Sequence, residues 1–349
     1  MDDLGTREAF LREGCLVSGP NGRAWIGVGP PRRQSCAERG KLSVYAPDFF
    51  LTDDAPWLVY DESADVDVDG LIGRLGSSLG LRARWSSSPF EAFAASFRDV
   101  QRRLAEGSLI KAVPFVERRA RFEPDRAAVL ASALRRCAGQ PLRAYGFWNE
   151  REGMVGTTPE TLFEERPRRA GPNGLLTMAL AGTRGPGGAS LLDDPKEVTE
   201  HRIVVEGIVE RLRPLGRVAV GPTDELTLPT LAHLHTPIEV SPQEDVSFER
   251  WVEALHPTPA IGAWPKEAGW HWLHDQPNAA RRGRYGAPFG FVPPDSDAGT
   301  CLVAIRNVQW ADGEAKVLAG CGIVRESRVE REWKELNAKL DSIQGALGL

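Results

Sequence analysis

Short β-branched runs bounded by turn residues outnumber helical segments in this chain of 349 residues, and the two kinds do not strictly alternate. The runs lie at 109–116, 153–156, 161–164, 175–182, 288–292, 301–309 and 315–319. Strict alternation of strands and helices would indicate a doubly wound parallel sheet. The observed order instead predicts an α+β fold with largely antiparallel sheets.

Three helices are indicated by the residues at their first turns. In SPFE, Ser88 suits the capping position and Pro89 the first helical position. The same cap-plus-proline logic starts a second helix at Asp194, which we expect to run to about Leu212. A third begins at Ser327, followed by an apolar stripe at helical spacing.

Charge and composition limit the classes of function. The formal net charge is −5, with 42% hydrophobic and 26% charged residues, which is the usual balance of a globular protein. A nucleic-acid surface requires a basic stripe with interleaved aromatic residues, and we find none, so we expect no nucleic-acid partner. The length suits one large domain or two closely packed halves.

Membrane and targeting signals are not evident. No apolar run approaches the roughly 18 residues of a membrane span, and the segment MDDLGTREAF is acidic and lacks the apolar segment of a signal peptide. The five cysteines are scattered and form no CxxC pair, which is typical of reduced thiols. We therefore expect a cytoplasmic protein with no membrane partner.

Glu200 lies on the face of its predicted helix that should be buried. Residues at i+3, i+4 and i+7 share a face with residue i, so Glu200 shares one with Ile203, Val204 and Gly207. A buried carboxylate is costly unless it is paired, protonated or bound to a metal. The helix therefore requires a partner for Glu200.

A second acidic helix has a similar arrangement. In EREWKELNAKL, Glu332, Glu335 and Lys339 border the apolar stripe. Two such helices could meet around Mg²⁺, which binds few protein carboxylates and completes its shell with water and substrate oxygens. Each helix alone has a simpler explanation, since a first-turn glutamate answers the helix dipole and Glu335–Lys339 is an ordinary i,i+4 pair.

Three other polar residues lie where chemistry is possible. Glu160, in GTTPETLFE, could be a general acid of raised pKa or an exposed turn residue. Lys111, alone in SLIKAVPFV, could be a buried base or could extend its ammonium to solvent. Arg306, in VAIRNV, is typical of a guanidinium that binds a carboxylate of the protein or of a ligand.

Nine segments, in this order, resemble the chorismate-utilising enzymes, which comprise isochorismate, salicylate, anthranilate and aminodeoxychorismate synthases. They are LIKAV, TTPETLFE, LAGTR, DDPKEVTEHRIVVEGI, LAHLHTP, LHPTPAIGAWP, YGAPFGF, VAIRN and AGCGIV…EREWKELNAKL, and they span about 109–340. The resemblance implies two large, mostly antiparallel sheets with helices outside, as in anthranilate synthase component I. It also implies a single domain over 1–349, with 1–108 as the N-terminal part of the same fold.

The resemblance also implies a magnesium site and a substrate site. Glu200 and Glu335 would bind Mg²⁺, Glu332 would help directly or through water, and Lys339 would lie near these carboxylates. Two groups of residues would bind the two carboxylates of chorismate. Arg306 and the backbone around Gly320 and Gly322 would bind the enolpyruvyl carboxylate. Gly182 and Thr183 would line the side of the ring carboxylate.

The resemblance further implies water as the nucleophile. A lysine at position 111 goes with water in this family, and Ala181 stands where a lysine that forms a covalent adduct would otherwise lie. Lys111 would then deprotonate water for attack at C2, and Glu160 would protonate the departing C4 hydroxyl, giving isochorismate for menaquinone or siderophore supply. No glutaminase subunit is expected.

His235, in LAHLHTP, occupies a position that helps to decide whether isochorismate is released or loses pyruvate. Its imidazole could narrow the pocket, move a water or act as a second base. A salicylate synthase, an amine-forming synthase and a relative that binds chorismate without turnover therefore stay open as alternatives.

Overall fold

The structure, a computed structural model, describes residues 4–76, 83–86, 89–167, 171–185 and 187–349. Its first large sheet has eight strands. In spatial order they are β6 (Glu62–Asp67), β2 (Arg23–Val28), β1 (Gly14–Ser18), β9 (Arg143–Trp148), β10 (Glu152–Thr158), β19 (Asn307–Ala311), β20 (Glu314–Gly320) and β8 (Phe115–Arg121).

The second large sheet has ten strands. In spatial order they are β13 (Gly216–Val220), β15 (Ala232–Pro242), β12 (Gly174–Arg184), β11 (Thr161–Arg166), β18 (Thr300–Val303), β17 (Pro288–Val292), β4 (Leu42–Tyr45), β5 (Trp57–Tyr60) and β3 (Arg32–Gln34), with β14 (Asp224–Thr227) pairing beside β15. Two short strands, β7 (Lys111–Ala112) and β16 (Ala263–Trp264), pair separately. Neighbouring strands of the described residues run antiparallel, so the predicted fold class is confirmed.

Eight α-helices are described. They are α1 (Leu4–Arg12), α2 (Val68–Leu75), α3 (Phe90–Ala105), α4 (Arg126–Cys137), α5 (Pro195–Leu212), α6 (Phe248–Leu255), α7 (Lys266–Asp275) and α8 (Val329–Leu347). None of them, over the ranges given above, combines the length and apolarity that a bilayer crossing would need.

The helices lie outside the pair of sheets. One buried cluster joins residues of both sheets, such as Tyr145 of β9 and Phe289 of β17, and contains no helix residue among those described. A second cluster packs α3, α4 and α8 against the first sheet, and a third packs α5 and α6 against the second. Burial of both faces explains why many strands are apolar throughout rather than alternating.

The helix starts test the sequence predictions individually. The Asp194 carboxylate accepts hydrogen bonds from the backbone N–H groups of Lys196 and Glu197, which confirms the cap of α5. The predicted Ser327 cap is wrong, because α8 is preceded by Arg328 and the Ser327 hydroxyl instead accepts from the N–H of Val324. Ser88 lies outside the described residues.

Two predicted strands are each divided. Pro114, which has no N–H to donate, separates β7 from β8 within 109–116. The run 301–309 breaks between β18 and β19 where Arg306 adopts φ +54°, a left-handed conformation rare for a residue with a side chain. The first hundred residues contribute strands to both large sheets, while their inclusion in a single domain stays a prediction.

Candidate active site

A cleft is bounded by β12, β20, α5 and α8. Its apolar wall includes Leu180, Ile261 and Leu318. Eight of the predicted site residues line it: Glu160, Gly182, Thr183, Glu200, Arg306, Gly320, Gly322 and Lys339. The structure therefore brings together residues from distant parts of the sequence around one enclosed space.

Lys111 lies directly behind this lining. Its side chain is fully buried on β7, and its Nζ lies 3.0 Å from Oε1 of Glu200. Gly322 leaves the room for this approach, because a Cβ there would overlap Glu200 Oε1 and lie 2.6 Å from Lys111 Cε. Replacing Gly322 would therefore disturb the ion pair itself.

Glu200 is held between two ammonium groups. Its other oxygen, Oε2, accepts a hydrogen bond from Lys196 Nζ at 2.9 Å. Burial alone would raise the pKa of Glu200, but the charges of Lys111 and Lys196 outweigh it and lower the pKa to about 2. Glu200 is thus an inward-facing carboxylate, as its helical position predicted.

Four glutamates form what we call the carboxylate cluster: Glu197, Glu200, Glu332 and Glu335. Lys196 Nζ lies 3.3 Å from an oxygen of Glu197 and 3.3 Å from one of Glu332. Glu335 lies one helical turn from Glu332 and pairs with Lys339 at 2.7 Å. Two helices, α5 and α8, therefore meet through acidic side chains with lysines between them.

Glu332 stands out within the cluster. Its side chain is completely buried, and within the described residues neither oxygen has a hydrogen bond of good geometry, although the Ser327 hydroxyl and the Lys196 ammonium both interact with it. Burial, together with the neighbouring charges of Glu335 and Glu200, raises its pKa to about 7 against the opposing effect of Lys196. Such a carboxylate calls for a cation or a proton.

The cluster has the ligand chemistry that magnesium prefers, namely carboxylate oxygens from two rigid helices. Among the residues that the structure describes, however, no three acidic, histidine or cysteine side chains are placed to share one ion as they stand. The ammonium of Lys196 occupies the point where three of the carboxylates meet. The residues therefore fit magnesium in kind, provided that Lys196 moves.

Arg306 is presented to the cleft by a histidine that sequence reasoning missed. His233 Nδ1 lies 2.8 Å from the carbonyl oxygen of Gly182, and its Nε2 lies 2.6 Å from Nη2 of Arg306. A carbonyl can only accept and a guanidinium can only donate, so His233 is neutral with its proton on Nδ1. Burial and the Arg306 charge lower the pKa of His233 to about 3, in agreement with this state.

Arg306 is available to an anion. No carboxylate forms an ion pair with it within the described ranges, and burial lowers its pKa to about 10. Its positive φ is a strained conformation that the surrounding structure must hold in place. A half-buried guanidinium without a carboxylate partner, next to a cleft, is suited to a bidentate contact with a carboxylate.

Gly182 and Thr183 lie at an irregularity of β12, where its pairing with β15 shifts between Ala181 and Arg184. Gly182 has φ +74°, which favours glycine. The N–H of Thr183 donates to Glu197 Oε2 at 2.9 Å. This turn therefore connects the cleft to the carboxylate cluster.

Glu160 follows β10 and is 5% exposed. Burial raises its pKa to about 7, although the charges of Lys111 and Arg306 oppose the rise. Its backbone carbonyl accepts from the N–H of Val303, which fixes it against β18. The structure favours a buried carboxyl over the exposed turn residue.

His235 is not among the residues that line the cleft, so its proposed effect on the product stays a prediction. The β14–β15 pairing sets Asp224 opposite His235, and Nδ1 of the imidazole lies 2.9 Å from the Asp224 carboxylate. His233, two residues earlier, has that place instead. Both histidines point to the same side of β15, so their alternation in the sequence could not distinguish them.

Lys196 and Glu197 were not among the predicted site residues. The i,i+3 spacing of Glu197 and Glu200 was a usable signal for Glu197. Nothing in the sequence indicated the direction of the Lys196 side chain.

A family model described as "Chorismate binding enzyme" matches residues 81–348. The salicylate biosynthesis isochorismate synthase of Pseudomonas aeruginosa is 36% identical over 206 residues, which cover 56% of this chain and 42% of that protein. Isochorismate synthase MenF of Bacillus subtilis is 34% identical over 220 residues, covering 59% of this chain and 45% of that protein. The matches thus span less than half of either relative.

The menaquinone-specific isochorismate synthase MenF of Escherichia coli has a similar structure. The TM-score is 0.80 over 99% of this chain and 91% of that chain, at 20% sequence identity. At that identity the similarity establishes the fold, and it includes the N-terminal hundred residues, where the sequence resemblance was weak.

Proposed function

This chain belongs to the chorismate-binding enzyme family, and we propose that it is an isochorismate synthase that adds water at C2 of chorismate and releases the C4 hydroxyl. The observation that carries the proposal is that Glu160 lines the cleft while Lys111 lies directly behind its lining. Lys111 lies close enough for its charge to act on the Glu160 carboxyl. The reaction needs one group to take a proton and another to give one.

Glu160 is the proposed general acid. A pKa of about 7 leaves a substantial protonated fraction near neutral pH, and such matching favours proton donation in the transition state. Its proton would pass to the C4 oxygen, which leaves as water. The ring double bonds shift as the C4–O bond breaks.

Lys111 is the proposed general base. To take a proton from the water whose oxygen bonds to C2, Lys111 would first have to give up the proton that it carries in the ion pair with Glu200. One water is thus consumed and one released, Lys111 gains a proton and Glu160 loses one, and exchange with solvent restores both. The alkyl part of Lys111 lies against Gly322, which lines the cleft and has no side chain.

The two carboxylates of chorismate determine its orientation in the proposed complex. Arg306 and the backbone at Gly320 and Gly322 would bind the enolpyruvyl carboxylate. Gly182 and Thr183 would face the ring carboxylate, beside the carboxylate cluster. Fixing both ends sets C2 and C4 against the proton-transfer groups, which is the positional part of catalysis.

Magnesium is the proposed cofactor. Glu200 and Glu335 would hold it, with Glu332 acting directly or through water, and the four-carboxylate environment supports this choice of ion. When bound, the ion supplies positive charge that offsets the substrate carboxylate. The proposed setting is the cytoplasm, in menaquinone or siderophore supply, without a glutaminase subunit.

Product analysis tests the proposal. The protein is incubated with chorismate and Mg²⁺, products are separated by chromatography, and pyruvate is measured by a coupled assay. We expect isochorismate without pyruvate. Salicylate with pyruvate would replace the proposal by a salicylate synthase, amine products formed only with ammonia by an amine-forming synthase, and no turnover under any of these conditions by a binding protein.

A further inference from the structure

The position of Lys196 within the carboxylate cluster is not explained by its own helix. Lys196 is the second residue of α5, and the N-terminal end of a helix carries partial positive charge that disfavours an ammonium. Its Nζ nevertheless lies 2.9 Å from Glu200 and 3.3 Å from both Glu197 and Glu332. The carboxylates therefore hold it there.

The cluster is still incompletely satisfied with Lys196 in place. The Glu332 side chain is completely buried, yet within the described residues neither of its oxygens has a hydrogen bond of good geometry, and only the Lys196 ammonium at 3.3 Å and the Ser327 hydroxyl are shown to interact with it. A single ammonium has three donors to distribute among several acceptor oxygens. This unmet demand points to a second, more highly charged occupant.

A groove on the far side of the cluster offers Lys196 a place to go. It lies between the starts of α5 and α8 and is lined by Asp194, Pro195, Lys196, Glu326, Ser327, Glu330 and Glu332, together with Arg328 and Arg331. The cleft borders the cluster through Glu200, whereas the groove borders it through Lys196 and Glu332. The lysine stem is flexible. Arg331 already pairs with Asp194 in the groove, so Glu326 and Glu330 are the acidic residues that could receive the ammonium.

We propose that Lys196 is a built-in competitor for the divalent cation: its ammonium occupies the carboxylate cluster in the metal-free protein and withdraws into this groove when the metal binds. The inference rests on the proposed function, since it takes the cluster to be the metal site. Mg²⁺ binds carboxylate oxygens at about 2.0–2.1 Å. An ammonium 2.9 Å from the same Glu200 carboxylate would then face it at contact distance, and two such cations repel strongly.

The competition lowers the apparent metal affinity by the fraction of molecules in which the lysine has withdrawn. Lys196→Met removes the charge and keeps an unbranched side chain. Calorimetric titration with MgCl₂ alone, without chorismate, should give a dissociation constant for this variant that is smaller than that of the wild-type protein by a factor of at least about ten. Lys196→Arg, which keeps the charge, should show no such tightening.

Amine labelling tests the movement in the wild-type protein and does not depend on a folded variant. Lys196 should be acetylated faster with saturating Mg²⁺ than without it, as measured by mass spectrometry of its peptide. Lys41, whose side chain is 35% exposed and pairs with Asp61, serves as the control, and its acetylation rate should not change when Mg²⁺ is added. Labelling of Lys196 that stays constant or slows on metal binding would overturn the proposal.

The outcomes separate this inference from the proposed function. Equal or weaker Mg²⁺ binding by Lys196→Met, with isochorismate still formed by the wild-type protein, rejects the competition alone. Absence of Mg²⁺ binding in both proteins rejects the metal site and the competition together. Tighter binding by Lys196→Met supports the competition whatever product is formed from chorismate.

Discussion

The Nζ atom of Lys111 on β7 lies 3.0 Å from Oε1 of Glu200 on α5, and both side chains are buried. The pair joins the proposed base to a proposed metal ligand. Lys196 holds the second Glu200 oxygen, so Glu200 is shared by two cations. Because a buried charge that loses its partner is costly, a change at this contact should affect the proton-transfer group and the carboxylate cluster together.

Gly322→Ala should abolish most of the activity. The new Cβ would overlap Glu200 Oε1 and press against Lys111 Cε, so the ion pair must separate. We expect a loss of isochorismate formation of at least about 100-fold, as for a misplaced catalytic group. Steady-state assays with chorismate measure it.

Gly345→Ala is the matched control, because a Cβ at this position in α8 meets nothing within 4 Å. It should leave turnover unchanged and raise helix stability by about 0.5–1 kcal/mol. If Gly322→Ala turned over chorismate at the wild-type rate and gave the full yield of isochorismate on chromatography, the arrangement described for Lys111 and Glu200 would be contradicted.

Some of the site could be predicted from local chemistry, and some depended on tertiary contacts. Helical periodicity set Glu200 inward, and the Asp194–Pro195 start placed α5 correctly, because both depend on neighbours within a turn. Which of His233 and His235 lines the cleft depends on the pairing of β14 with β15, because this pairing sets Asp224 of β14 opposite His235. No local pattern contains that information.

The break at Arg306 has a similar origin. The apolar run 301–309 favours one continuous strand, and no neighbouring residue in the sequence indicates that Arg306 adopts a left-handed backbone conformation. Its conformation is held by contacts distant in sequence, among them the N–H of Thr157, which donates to the Arg306 carbonyl. Functional sites are where such departures from local preference are expected.

Lys111→Gln should reduce kcat by about 10²–10⁴-fold, the usual contribution of a general base. The glutamine amide fills similar space but cannot accept the proton of water. Lys41→Gln, at a partly exposed lysine, is the control and should match the wild-type protein. Retention of normal kcat by Lys111→Gln would remove Lys111 from the mechanism.

Glu160→Gln should reduce kcat by a similar factor and also change its pH dependence. The wild-type carboxyl must be protonated to donate, so kcat should fall as pH rises through about 7. That basic limb should be missing from the residual activity of the variant. Glu164→Gln, a partly exposed change on β11, is the control, and the same pH profile for Glu160→Gln and wild-type protein would argue against the assignment.

Glu160 should also affect stability in a pH-dependent direction. Its folded pKa is raised to about 7 from 4.5, so the folded state binds more protons than the unfolded state between these values, and stability decreases as pH rises. Relative to Glu160→Gln, the wild-type protein should lose about 3 kcal/mol of unfolding free energy between pH 4.5 and pH 8. Urea denaturation of both proteins measures the difference, which a constant offset across this range would contradict.

Removal of metal should stop the reaction, and Mg²⁺ should restore it. EDTA in excess leaves the carboxylate cluster with only the cationic side chains of the protein as partners, and the substrate carboxylate then lacks the charge that offsets it. EDTA preloaded with equimolar Mg²⁺ is the control for effects of the chelator itself and should not inhibit.

Added Mg²⁺ should also raise the melting temperature of the metal-free protein, because an ion that binds only the folded state stabilises it in proportion to the logarithm of its concentration. Full turnover in a preparation shown by elemental analysis to be metal-free would reject magnesium as the cofactor. The buried Glu332 carboxyl would then have to be neutralised by a proton instead.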